Sequence, residues 1–273
     1  MLCTLHEILK LAEEHQCAVP AFNVYNMETV MGVAAAAEET GKPVIFQLYS
    51  RLFDEPCGRY VMAAAHEAAE GLKTPCVIHL DHGAGMKEVT RALRMGASSI
   101  MRDSSSLPLE DNIRETKEVV DICENLGIQV EGELGHIGTT KEPIPTAFTD
   151  VEEARRFVKE TGICALAVLI GNAHGRYKLA PHLNIQRVSE ISKATHIPLV
   201  LHGGTGIPDD QILDAIANGV RKVNFGTDVC YSFLDAVRAV SKDIIGIDTF
   251  MTEPIQAVKK YALSKINLME GNA

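Results

Sequence analysis

The sequence predicts an α/β fold, a closed (β/α)8 (TIM) barrel with an additional C-terminal helix, formed as a single domain over residues 1–273. Three observations carry this expectation. Short apolar runs of strand type alternate eight times with longer stretches of 3.6-residue spacing. Most of the short runs are near-continuously apolar, as strands covered on both faces are. Glycines also stand where several of the helices should end. Strict alternation implies parallel strands with right-handed crossovers, and eight such units close a barrel.

In order, the strand over 18–24 (AVPAFNV) is followed by a helix over 28–40 that Gly41 ends. The strand over 43–49 precedes an alanine-rich helix over 59–72, and the strand over 76–81 a helix over 87–95 stopped by Gly96. The fourth pair is 98–102 with 110–126, closed by Gly127. The fifth is 128–133 with 151–161, where Asp150 and Glu153 have the spacing of a capping box and Gly162 follows. Strand 165–171 pairs with helix 185–195, and strand 198–202 with helix 209–218. Asp209 and Asp210 after Pro208 suit the amino end of that helix, and Gly219 its carboxyl end. The eighth pair is 221–225 with 228–244. A ninth helical pattern over 252–268 is left to pack outside the barrel or against a partner subunit. An open doubly wound sheet is the competing arrangement, but the first strand-to-helix turn lacks G-x-G-x-x-G.

Composition excludes other classes. With 36 Asp+Glu against 26 Lys+Arg and no basic block, the chain is not built to hold nucleic-acid phosphates. No apolar run approaches the roughly 18 residues of a membrane span, and the amino end carries Glu7, Glu13 and Glu14 at helical spacing instead of a signal peptide, so a cytoplasmic location is expected. The seven scattered cysteines never form C-x-x-C, which predicts reduced, mostly buried thiols.

In such a barrel the chemistry belongs at the carboxyl ends of the strands. There the sequence places Asn23, Asp81-His82, Asp103, Glu131 and Glu133, Asn172-Ala173-His174, His202 and Asn224. Three of the ten histidines, His82, His174 and His202, therefore meet at one mouth, and three imidazoles with an open fourth position make a catalytic zinc-type site. His79 lies within the third strand and reads as structural, and His136 lies near the mouth without a role. Gly203-Gly204-Thr205-Gly206 after the seventh strand and Asn224-Phe225-Gly226-Thr227 after the eighth can cradle a phosphate with backbone N–H groups, at the position where barrels often bind one. Cation, phosphate site and carboxylate together suit a phosphorylated carbonyl substrate, for carbon–carbon cleavage, isomerisation or epimerisation. Schiff-base chemistry needs a lysine at the mouth. Lys222 lies inside the last strand and reads as structural, and Lys178 lies in a loop.

These residues, with PAFN at 20–23, HLDHG, VEGELG, IGNAHG, LHGGTG and KVNFGTD in this order, resemble the metal-dependent (class II) ketose-bisphosphate aldolases, of the fructose- and tagatose-1,6-bisphosphate type, over nearly the whole chain. The resemblance implies a catalytic Zn2+ on His82, His174 and His202, with a further monovalent or divalent cation left open. It implies Asp81 as the residue that moves the proton of the C4 hydroxyl, and Asp103 and Glu133 as supports of the metal region. It places dihydroxyacetone phosphate against Gly175, Gly203, Gly204, Thr205, Asn224, Phe225, Gly226 and Thr227, with Asn23 nearby. The expected partners are a phosphorylated ketose, dihydroxyacetone phosphate and an aldehyde, handled by a homodimer or homotetramer. A sugar-phosphate isomerase or epimerase on the same barrel and a non-catalytic phosphosugar-binding relative are the alternatives.

The resemblance also has gaps. The family's Asp-Pro-Arg element, whose arginine takes the distal phosphate, is replaced by Gly246-Ile247-Asp248-Thr249-Phe250-Met251-Thr252. Gln47-Leu48-Tyr49-Ser50, Arg102-Asp103-Ser104 and Asn172 also depart from the usual pattern. These changes predict that the aldehyde half differs from glyceraldehyde 3-phosphate, with Arg51 or Arg102 as its polar contact.

Overall fold

The computed structural model describes residues 1–141 and 148–270. Eight parallel strands close on themselves in sequence order: β1 (Val19–Asn23), β2 (Val44–Tyr49), β3 (Cys76–Gly83), β4 (Ser99–Arg102), β5 (Gln129–Leu134), β6 (Ala165–Val168), β7 (Leu199–Leu201) and β8 (Val220–Phe225). Closure runs through Ala21 beside Asn224 and Phe22 beside Phe225. Helices α1 (Leu5–Glu14), α2 (Met27–Thr40), α3 (Gly58–Gly71), α4 (Met86–Arg94), α5 (Leu109–Glu124), α6 (Val151–Thr161), α7 (Ile185–Thr195), α8 (Asp209–Ala217) and α9 (Thr227–Ala239) follow the chain. The short α10 (Ile247–Phe250) and the long α11 (Thr252–Met269) complete it. Among the described residues no helix is long and apolar enough to cross a membrane.

The expected helix stops are present: Gly41 and Gly162 take φ +67° and +74°, a left-handed conformation that favours glycine. Asp150 accepts from the backbone N–H groups of Glu152 and Glu153. Three expected elements are shorter. β6 ends at Val168 because Leu169 N–H turns to Thr149 Oγ1 and Ile170 N–H to Asn172 Oδ1, so both leave the ladder. β7 begins only at Leu199, since Pro198 has no N–H to give. α9 stops at Ala239, where Val240 becomes extended, instead of running to 244.

Helix α1 is an addition to the eight pairs. Thr4 and Glu7 form a reciprocal capping box at its start. Leu5, Ile8, Leu9 and Ala12 then form one apolar cluster with Val19, Ala21, Ile45, Val77, Ala165, Ala167 and Val200, which closes the amino end of the barrel. The outer faces of the strands pack against the helices in a second, larger cluster. Helix α11 lies on the outside of its own barrel against α2 and α9, burying Val258, Ala262, Ile266 and Met269 along one stripe. Gly32 permits this approach, because a Cβ there would come within 2.7 Å of Val258.

The seven cysteines are free, but fewer are buried than expected: Cys76 and Cys123 are buried, Cys3, Cys17, Cys164 and Cys230 half-buried and Cys57 exposed.

Candidate active site

A cavity of about 430 Å³ opens at the carboxyl ends of the strands, a size that suits a phosphorylated sugar. Its floor is made by the inward positions of the strands. β1 supplies Asn23, β3 Asp81 and His82, and β8 Asn224. Consecutive residues on a strand normally face opposite sides. Here the pairing of β3 with β4 shifts register between Leu80 and Gly83, and His82 takes φ +106°, so that Asp81 and His82 both line the cavity. A non-glycine residue in that conformation costs roughly 1–3 kcal/mol, which the surrounding barrel must offset.

The three expected histidines come together. His82 lies with its ring centroid 5.2 Å from that of His174 and 5.0 Å from that of His202, and the last two are 5.6 Å apart. One ring nitrogen from each falls in a group whose atoms all lie within 4.8 Å of one another. The other nitrogens are occupied. His82 Nδ1 donates to Asp103 Oδ2 at 2.9 Å, His174 Nδ1 to the Ile137 carbonyl at 3.1 Å and His202 Nε2 to Glu131 Oε1 at 2.9 Å. Each of these bonds fixes which nitrogen is left for a cation, and buried His202 Nδ1 has no hydrogen-bond partner. This donor set fits a divalent cation of the borderline-soft kind. A second group, His82 with Asp103 and Glu133, shares one ligand with the first.

Charges around the histidines are strongly coupled. Burial lowers His82, but Asp81 and Asp103 outweigh it and raise the imidazole to about 9. Burial, then the charge on His82, lowers His174, and burial takes His202 well below the ordinary histidine value. Asp81 is buried, which works against ionisation, yet His82, His202 and Lys222 hold it below the usual carboxylate value. Asn23 Nδ2 donates to its Oδ2 at 2.6 Å and Asn224 Nδ2 approaches Oδ1 at 3.5 Å. Burial and the neighbouring Asp103 push Glu133 up to about 8. Ser105 Oγ lies 2.8 Å from both Asp103 Oδ1 and Glu133 Oε1, and Ile137 N–H donates to the latter at 3.0 Å.

The glycine-rich side of the cavity is largely backbone. Gly175, Gly203, Thr205, Gly226 and Thr227 line it, and α9 starts at Thr227, with the Asp228 N–H of its first turn donating to Thr205 Oγ1 at 3.3 Å. A Cβ at Gly203 would lie 2.1 Å from the Ala173 carbonyl oxygen, so only glycine fits there.

Several expected contacts lie elsewhere. Arg102 is buried and points away from the mouth, donating to the carbonyls of Gly83 and Asp103 and to Glu115 on α5. Phe225 faces outward, its ring 5.9 Å from Phe22 and 6.3 Å from Tyr261. Gly204 does not line the cavity; its N–H donates to the Asn224 carbonyl, and a Cβ would strike Val223 and Phe225. Asn172 is also buried and tethers the β6 loop to the His202 carbonyl at 3.1 Å.

Arg51 does line the cavity, its guanidinium 5.8 Å from the rings of Tyr25 and Tyr49. Tyr49, part of the Gln47–Ser50 departure expected to face the variable half of the substrate, does reach the cavity, while Tyr25, His136 and the stretch 137–139 are wall residues that the motifs did not assign. The stretch matters because Gly138 and Thr140 exchange backbone hydrogen bonds with His174 at 2.9 and 2.8 Å. It therefore places a candidate ligand.

Comparisons with known proteins identify the family. A family model described as "Fructose-bisphosphate aldolase class-II" matches residues 3–272. The 6-phospho-5-dehydro-2-deoxy-D-gluconate aldolase of Bacillus licheniformis is 36% identical over 271 residues, covering 96% of this chain and 93% of its own. The crystal structure of the YdjI aldolase from Escherichia coli K12 superposes with a TM-score of 0.90 at 37% identity, covering 98% of this chain and 97% of its own. A putative fructose-1,6-bisphosphate aldolase from Coccidioides immitis gives a TM-score of 0.89 at 29% identity, covering 97% and 95%. The chain is a carbon–carbon lyase and belongs to the class II fructose-bisphosphate aldolase family.

Proposed function

We propose that the protein is a zinc-dependent aldolase that reversibly cleaves a ketose monophosphate into dihydroxyacetone phosphate and an aldehyde bearing a polar or anionic group other than phosphate. The observation that carries this reading is Asp81 beside three histidines that each bring one ring nitrogen into a group within 4.8 Å, facing a cradle of backbone donors. A cation on His82, His174 and His202 would supply Lewis-acid stabilisation of the negative charge that develops on the ketone half.

The chain's own residues supply the rest. Asp81, held ionised and oriented by Asn23, takes the proton of the C4 hydroxyl. The C3–C4 bond then breaks, the aldehyde carbonyl forms and the bonding electron pair stays with the ketone half. In condensation Asp81 returns its proton to the aldehyde oxygen. Gly175, Gly203, Thr205, Gly226 and Thr227 hold the phosphate by backbone donors, so the phosphorylated end is fixed while the other end varies. Asp103 orients His82, and Glu133 braces the stretch at Ile137.

Two observations favour an unusual aldehyde half. Arg51, beside Tyr25 and Tyr49, is the arginine among the described cavity residues, and the distal-phosphate arginine element is absent from 246–252. The Bacillus licheniformis relative is named for a substrate with a single phosphate and a gluconate skeleton. A homo-oligomer also fits: from Cys230 to Met251 no side chain is fully buried, and Tyr231, Leu234, Ile245 and Ile247 are exposed.

A panel of aldehydes condensed with dihydroxyacetone phosphate, alongside cleavage of fructose and tagatose 1,6-bisphosphates, tests the substrate reading. Preference for a carboxylated or neutral aldehyde, lost in Arg51→Met through a raised KM, supports it. Preferred cleavage of a bisphosphate contradicts it. Interconversion of two ketose phosphates without release of fragments identifies an isomerase or epimerase instead.

A further inference from the structure

Beneath the histidines lies a buried ionic cluster whose part in the proton transfer above is only the charge of Lys222 near Asp81. Lys222 and Glu131 are both completely buried inside the barrel, with Lys222 Nζ 2.9 Å from Glu131 Oε2. Lys222 Nζ also donates to Asn224 Oδ1 at 2.8 Å. Glu131 Oε1 accepts from His202 Nε2, and its Oε2 lies 3.5 Å from His79 Nε2. A buried ion pair is a weak source of stability, because desolvation cancels much of the attraction. Its better attested use is to specify one arrangement of the groups around it.

We propose that Lys222 is a positioning residue that sets two orientations at once. Through Glu131 it fixes the tautomer in which His202 faces the cavity, and through Asn224 it fixes the direction of the amide beside Asp81. The inference rests on the assignment of His202 as a metal ligand and Asp81 as the proton carrier.

An ionised carboxylate can only accept, so with an ammonium beside it Glu131 accepts a hydrogen bond from His202 Nε2–H, and Nδ1, 3.4 Å from Glu133 Oε2, is left without a hydrogen bond. Asn224 commits its oxygen to Lys222, so its NH2 group is the end turned toward Asp81 Oδ1 at 3.5 Å. Reversed, the amide would set oxygen against carboxylate.

Substitutions at 131 and 222 then have effects that depend on each other in sign. In Glu131→Gln the ammonium draws the amide oxygen, so the amide NH2 faces His202. His202 Nε2 must then accept, its proton moves to Nδ1, and the cation's lone pair is gone. Adding Lys222→Met removes that pull, and the new amide's oxygen at position 131 is free to turn back to His202. This double variant also leaves no unpaired buried charge, so it remains informative if either single variant folds poorly.

The test is zinc titration of the metal-free protein against a chromophoric chelator for wild type, Glu131→Gln, Lys222→Met and the double variant. Thermal melts provide the folding control. The expected result is zinc binding weakened about ten-fold or more in Glu131→Gln and largely restored in the double variant. With saturating zinc, condensation of dihydroxyacetone phosphate should show a lowered kcat and little changed KM in the double variant, because Asn224 has lost its anchor. Losses of zinc affinity that simply add, or wild-type kcat in the double variant, overturn the role of Lys222. A wild-type chain that binds no zinc overturns the metal assignment itself, a result distinguishable from failure at Lys222.

Discussion

The two ends of this barrel use the same strands under opposite requirements. At the amino end the inward positions Val19, Ile45, Val77 and Val200 pack with Leu5, Ile8 and Leu9 of α1 in one apolar cluster. Toward the carboxyl ends of the strands the inward positions are Asn23, Gln47, Asp81 and Asn224, all buried and linked by hydrogen bonds, with Lys222 and Glu131 beneath them. The apolar end gains free energy from burial and tolerates no gap. The polar end gives part of it up to strained backbone at His82 and to desolvated charge. Stability and chemistry are thus separated along one set of strands, and substitutions at the two ends should produce different kinds of loss.

The largest effect on turnover is expected at the polar end. Asp81→Asn should lower kcat by about 10²–10⁴-fold while zinc content, read by metal analysis of the purified variant, stays at the wild-type level. His174→Ala should lose zinc and activity together, and full activity with a stoichiometric metal ion would break the assignment. At position 202 the choice of replacement sharpens the point. Asparagine puts a polar atom where Nδ1 stands and glutamine where Nε2 stands, so His202→Asn should keep more zinc affinity than His202→Gln.

At the apolar end the loss should be one of stability. Leu9→Ala should destabilise the fold by about 2–5 kcal/mol in denaturant unfolding, with kcat per folded molecule unchanged. A large fall in kcat there would show that the two ends are not separable.

The smallest effect expected is a pH dependence confined to the metal-free protein. Glu133 is raised to about 8 and His82 to about 9, so the folded state holds protons that the unfolded chain has released. That stability is lost as pH rises, from Glu133 toward 8 and from His82 through 9. The melting temperature of the metal-free protein should fall by several degrees between pH 6.5 and 9, and zinc should flatten the slope by replacing the His82 proton. A flat profile without metal would contradict the coupling.

Much of this was legible because its causes are local. Apolar runs and left-handed glycine stops are short-range, and they carried the eight units, while HLDH, NAHG and LHGG marked the strand ends where the histidines stand. Arg102 and Phe225 were misplaced although a signal existed. Met101 and Asn224 sit beside them on the inward side, so counting by twos sends Arg102 and Phe225 outward to the helices. The same count places Tyr49 inward after Gln47. The bulge that turns both Asp81 and His82 inward breaks that count, and no periodicity announces it, because it is imposed by the pairing of β3 with β4. Likewise, the tie between the stretch at 137–140 and His174 is a contact between two loops distant in sequence, which leaves no local pattern.

The proposed mechanism requires a cation held by His82, His174 and His202, with Asp81 moving the proton. It is tested most directly by following release of dihydroxyacetone phosphate from a ketose 1-phosphate before chelation, after chelation and after zinc is restored. Release that disappears with the chelator, returns with zinc and is indifferent to borohydride is the predicted result. Release that survives chelation, or that borohydride abolishes by trapping an imine on Lys222, would contradict it.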